Sequence, residues 1–163
     1  MFDENHYSDK DPYDSFREAY ELQLQGKVDE AIALYKQSID LHPTAEAHTY
    51  LGWAYSFKKD YFSAIDECKR AIDINPDLGN AYNDIGAYYI ELDDLESAVT
   101  WLEKALESTH YDSFCYPHYN LGRVWEKRGD LVRALRSYQN AFLSNPDYTI
   151  AEKAIRRIEG MMK

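Results

Sequence analysis

Residues 45–76 read AEAHTYLGWAYSFKKDYFSAIDECKRAIDINP. Two amphipathic helical stretches run through them, split by the polar turn Lys58-Lys59-Asp60 and closed by Pro76, which cannot continue a helix. The first stretch carries Gly52 with Tyr55 three residues on, and the second carries Ala64, Cys68 and Ala71. Small residues let two helix axes approach closely, and large ones fill the adjoining grooves. The stretch therefore reads as a pair of antiparallel helices.

The same marks recur on both sides. Pro43, Pro76 and Pro146 each follow a similar helical run, with 33 residues between the first two and 70 between the last two. Aligned on them, the chain divides into four units, 12–44, 45–78, 79–114 and 115–148, then a further helix over 149–163. The other turns are Gln25-Gly26-Lys27, Leu92-Asp93-Asp94 and Arg128-Gly129-Asp130. First helices repeat a small residue at Ala19, Gly52, Gly86 and Gly122, with Leu22, Tyr55, Tyr89 and Trp125 three places later. Second helices repeat Ala31, Ala64, Ala98 and Ala134, then Tyr35, Cys68, Leu102 and Tyr138, then Ser38, Ala71, Ala105 and Ala141. A helix pair this short cannot bury its apolar face alone and must stack on neighbours.

This pattern over residues 12–148 resembles the tetratricopeptide repeat. The resemblance implies an all-α, right-handed superhelical array of four helix-turn-helix repeats plus a C-terminal capping helix. It also implies a concave groove lined by the first helix of each unit, where extended peptides or short helices bind. Three departures stand out. Glu18 replaces the Leu51, Ile85 and Leu121 of the later units. The third unit lacks the closing Pro and carries two extra residues within 108–114, which should bend the stack or form a contact of their own. The last stretch sets Ala151, Ile155 and Ile158 on one face, with Lys153, Arg156 and Arg157 elsewhere, as a solubilising cap requires.

Carried over residue by residue, the groove positions are Tyr13, Phe16, Arg17 and Tyr20 in the first unit and Thr49, Tyr50, Trp53 and Phe57 in the second. The third unit adds Asn83, Asp84, Ala87 and Glu91, and the fourth adds Tyr116, Tyr119, Asn120, Arg123 and Lys127. They sort into an aromatic end, an acidic middle at Asp84 and Glu91, and a basic end at Arg123 and Lys127. A ligand with apolar anchors followed by a carboxylate suits that order. Packing between units is the competing role for each aromatic. Some tetratricopeptide domains clamp the carboxylates of a chaperone's C-terminal tail with Lys, Asn and Arg. Here the matching places hold Phe16, Tyr20, Tyr50, Asn80 and Asp84, or, one unit later, Thr49, Trp53, Asp84, Tyr116 and Asn120. Neither register supplies the cations, and Asp84 would repel a carboxylate.

The net charge of -11 disfavours nucleic acid and anionic membranes, and no apolar run is long enough to span a bilayer. Residues 1–11 form an acidic tail without the apolar core of a secretory signal, and Phe2 and Tyr7 would let it lie over the first unit. Two cysteines in different units, Cys68 and Cys115, make no disulfide framework, so a cytoplasmic protein is expected. His110, Cys115 and His118 have short spacing but no evident fourth metal ligand, and His118 occupies the same repeat place as His48. Phosphate-loop and nucleophile-elbow motifs are absent. The reading is a scaffold with no enzymatic activity, cofactor or metal, binding a peptide or helix of another protein. Two alternatives stay open. One is a chaperone for a secreted hydrophobic client, similar to the type III secretion chaperones for translocators. The other is a self-associating structural scaffold, as a homodimer.

Overall fold

The computed structural model describes residues 11–163; residues 1–10, and with them the question of whether the tail 1–11 lies over the first unit, fall outside them. Nine α-helices make up the described chain: α1 Pro12–Leu24, α2 Val28–Leu41, α3 Ala45–Phe57, α4 Tyr61–Ile74, α5 Gly79–Glu91, α6 Leu95–Glu107, α7 Cys115–Lys127, α8 Leu131–Ser144 and α9 Thr149–Met161. Each odd helix from α1 to α7 packs most extensively on the helix that follows it. Successive odd helices also touch, α1 to α3, α3 to α5 and α5 to α7, so they form a continuous layer. The architecture is an all-α repeat array. No described helix is long and apolar enough to cross a membrane.

The turn chemistry repeats with the helices. Asp60, Asp94 and Asp130 cap α4, α6 and α8, accepting from the amides of Ser63, Ser97 and Arg133 at 3.2, 3.1 and 3.0 Å. A carboxylate there satisfies an amide with no helical partner and complements the positive end of the helix. In the residue before each cap the chain turns left-handed. Gly26 and Gly129 adopt φ of 79° and 77°, whereas Lys59 and Asp93 adopt 59° and 60°. That conformation crowds the Cβ of any residue but glycine.

Close approach within each pair rests on the small residues. A Cβ on Gly86 would stand 2.5 Å from the Leu102 side chain, and one on Gly122 would stand 2.5 Å from the Tyr138 ring. One on Gly52 would meet the Ala64 carbonyl oxygen at 2.9 Å. Ala19, Ala64, Ala98 and Ala134 are wholly buried, as are Leu102 and Cys68. Burial pushes the Cys68 thiol well up, which leaves it a small apolar core group. Polar ties supplement this packing. His48 Nδ1 lies 2.6 Å from Glu67 Oε2 in the buried seam between α3 and α4. Glu126 of α7 joins Tyr138 of α8 and Arg157 of α9, fixing the last helix.

Gly122→Ala should therefore lower stability by about 1–3 kcal/mol through overpacking against Tyr138. Gly160→Ala, where nothing lies within 4 Å, should leave stability unchanged or raised by roughly 0.5 kcal/mol. Urea denaturation of the two variants checks both signs.

Candidate functional site

A cavity of about 590 Å³ opens on the layer of odd helices. Tyr20 of α1, Thr49, Tyr50 and Trp53 of α3, Asn80, Asn83 and Asp84 of α5, and Tyr116 of α7 line it. Tyr111 and Ser113 reach it from the irregular loop after α6. The aromatic wall is a relay of edge-to-face contacts. Phe16 and Tyr20 meet Tyr50 at 5.2 and 5.6 Å between centroids, Tyr50 meets Trp53 at 6.0 Å, and Trp53 meets Phe57 at 5.2 Å. Such pairs hold the rings at fixed angles. Behind them the buried Tyr35 donates its hydroxyl to Gln23 at 3.0 Å and packs on Phe16 and Tyr50. Phe16 and Tyr50 thus belong partly to the core, while Tyr20 and Trp53 face the cavity.

Asp84 lies partly buried on the cavity floor. Among the described residues its carboxylate meets one hydrogen-bond donor, the Asn83 amide, at a long 3.4 Å. Burial pushes its pKa up to about 7, and the Asn83 bond only partly opposes this. The group also repels the ionised forms of Tyr50, Cys68, Tyr88 and Tyr111 around it.

The opposite end corrects the expected charge order. Arg123 is not a free cation: it donates to Glu91 at 2.6 Å and to Asn120 at 3.2 Å. Lys127 donates to Asp93 at 3.3 Å. Acidic residues one unit earlier in the stack neutralise both, so Glu91 is engaged as well. Asn120 is buried and donates to Asn83 at 3.0 Å, tying α7 to α5 instead of facing a ligand. Arg123, Lys127 and Tyr119 border a separate hollow of about 440 Å³ with Glu126, Tyr138 and Arg157. Tyr119 is packed between Tyr138 and Tyr148 there. Thr49 is buried and returns its hydroxyl to the Ala45 carbonyl, so it offers the cavity little polarity. Tyr13, Arg17 and Phe57 are exposed outside the cavity, Arg17 paired with Asp14, and Ala87 lies partly buried on α5 away from its lining.

The irregular loop makes a contact of its own. Asp77 accepts from the Thr109 amide at 2.8 Å, its hydroxyl at 2.7 Å and the His110 amide at 3.1 Å, and lies 2.5 Å from His110 Nδ1. These bonds hold the Asp77 carboxyl well below the usual carboxylate range. Tyr111 then lies over Gly79, where a Cβ would stand 2.3 Å from the ring, and the loop enters the cavity wall. With His110 on Asp77, Cys115 buried and His118 half-buried, the three do not converge. Among the described residues no three His, Cys, Asp or Glu side chains gather as metal donors.

Two outcomes follow. A carboxyl with a raised folded-state pKa binds its proton more tightly in the fold, so its contribution is fully present below about pH 4 and is lost as pH rises towards 7. Asp84→Asn should therefore stabilise the protein relative to wild type by about 2–4 kcal/mol at alkaline pH, and by much less near pH 4, in urea titrations. Asp77→Ala should speed amide hydrogen exchange at Thr109 and His110 and spare the helix interiors, as read by exchange mass spectrometry.

Family comparisons agree with the repeat architecture. Models of the family described as "Tetratricopeptide repeat" match residues 16–79 and 79–109. Hsc70-interacting protein 1 of Drosophila melanogaster is 35% identical over 107 residues, covering 61% of this chain and 28% of that protein. Heat shock protein STI1 of Saccharomyces cerevisiae is 31% identical over 81 residues, covering 48% of this chain and 14% of that protein. The chain thus spans less than a third of either relative. PilF of Pseudomonas aeruginosa superimposes with a TM-score of 0.82 at 17% identity, over 92% of this chain and 68% of that one. PilW, a type IV pilus biogenesis factor, gives 0.83 at 18% identity over 94% and 71%. These structural likenesses speak to the fold alone. With repeat models matched from Phe16 to Thr109 and paired helices running on to Ser144, the chain belongs to the tetratricopeptide repeat family.

Proposed function

We propose that the chain is a non-catalytic interaction scaffold that holds a segment of another protein in the cavity between Tyr20, Trp53 and Tyr116. The observation that carries this is an aromatic basin of about 590 Å³ that the chain's own core leaves unfilled. Rigid aromatic walls contribute binding area at low conformational cost. The four elements α1, α3, α5 and α7 each add a side chain, so the basin exists only in the stacked array. A reducing, cytoplasmic setting goes with this reading and is supported by two buried, unpaired cysteines.

Two relatives are named for heat shock or for interaction with Hsc70. A carboxylate-terminated tail is nevertheless not the segment we propose, because Asp84 stands where a clamp would need a cation and Arg123 and Lys127 are engaged. Self-association is a second reading, supported by Leu143, Ile150, Met161 and Met162, all exposed at the last two helices.

The test is affinity capture with wild type and the Tyr20→Ala/Trp53→Ala protein, read by mass spectrometry. A partner lost with the double variant, whose melting temperature falls by only a few degrees, is the expected result. A partner retained by both proteins would remove the basin as the site. Wild-type mass rising with concentration, with no captured partner, would favour self-association.

A further inference from the structure

The basin offers a place for a positive charge that none of the described residues supplies. Its floor holds the Asp84 carboxylate, which makes no ion pair among the described residues. Its walls are the rings of Tyr20, Tyr50, Trp53, Tyr111 and Tyr116. The faces of aromatic rings are electronegative and attract ammonium and guanidinium groups. The two cations on the same helix layer closest in sequence are held by Glu91 and Asp93.

The three tryptophans make the contrast plain. Trp101 carries Lys104 at 4.5 Å and Lys69 at 5.9 Å from its ring centre. Trp125 carries Arg133 at 4.8 Å and Arg128 at 5.0 Å. Trp53 touches Tyr50 and Phe57, and among the described residues no Lys or Arg stands over it. Among the described residues, two tryptophans are therefore supplied with cations from within, and the one in the basin is not.

We propose that the segment bound in the basin is anchored by a lysine or arginine, its cation lying against Trp53 and the tyrosines and pairing with Asp84. This rests on the basin being the binding site. The hydrocarbon stem of such a side chain packs on tyrosine rings while its head reaches the floor. The chain's net charge of -11 adds long-range attraction for a basic segment. Because the Asp84 carboxyl titrates near neutrality, affinity should rise with pH through that range. The groups facing Asp84 are Tyr50 from α3, Cys68 from α4, Asn83 and Tyr88 on α5, and Tyr111 from the loop. The tyrosines and the thiol have raised pKa values and stay neutral there, which leaves Asp84 as the titrating member.

A random-peptide phage library selected on the wild-type protein at mildly alkaline pH supplies the probes, and the selected peptides are synthesised for fluorescence anisotropy. The expected peptides share one Lys or Arg among apolar residues. Replacing that residue by Gln, or using Asp84→Asn protein, should weaken binding about ten-fold or more. Wild-type affinity should fall by about ten-fold between roughly pH 8 and pH 6, while Asp84→Asn binding stays flat. Circular dichroism melting verifies that both Asp84→Asn and Trp53→Ala remain folded. Peptides that lose binding to Trp53→Ala, share no basic residue and bind Asp84→Asn as tightly would overturn the cation assignment alone. Peptides indifferent to both substitutions, or no selected peptides, would overturn the basin as a binding site too.

Discussion

Close approach between the two helices of a pair is the constraint on which everything else depends. Gly86 and Gly122 leave no room for even one carbon, because Leu102 and Tyr138 occupy it. With the pairs drawn that tight, each buries a single seam, and the apolar surface left over is buried by the next pair. The odd helices consequently stand side by side, and their remaining faces merge into one surface. The basin is a product of that stacking: residues as distant in sequence as Tyr20 and Tyr116 share a wall.

Much of this was legible because close packing writes a spaced signature. The recurring Gly or Ala, the large residue opposite it and the Asp at three of the four turns are local requirements, and local requirements show in a single sequence. Partners across the stack do not. Arg123 and Lys127 read as a basic end of the groove, and nothing in a linear string reveals that Glu91 and Asp93, more than 30 residues away, pair with them. Asn83 and Asn120 are groove positions in the sequence, but their hydrogen bonds to each other and to Asp84 and Arg123 are not visible there. Tyr111 and Ser113 escaped notice as wall residues because their loop departs from the repeat register. The sequence clue to them is Gly79, a glycine at the start of a helix, where the Tyr111 ring comes to rest.

Part of the acidic excess is structural. Asp60, Asp94 and Asp130 begin helices, and Glu126 fastens the terminal one. Each has donors that favour its charge, and for Asp94 and Glu126 these hold the carboxyl below its usual range. Asp84 is the counter-example, a partly buried carboxylate among aromatic rings with one weak donor. A residue that costs stability and satisfies no local need marks a place where a fold serves something other than itself.

The loop bonds at Asp77 carry a mechanical implication. They clip the turn between α4 and α5 to the segment between α6 and α7, outside the helix-packing seams. Tyr111 directly follows that clip and forms part of the basin's wall. The width of the basin is therefore geared to the pitch of the array: spreading the repeats would pull on the clip, and pushing Tyr111 aside would strain it. A guest entering the basin would work against the stiffness of two repeats at once, so an open-ended repeat array acquires, at this one point, the resistance of a closed ring.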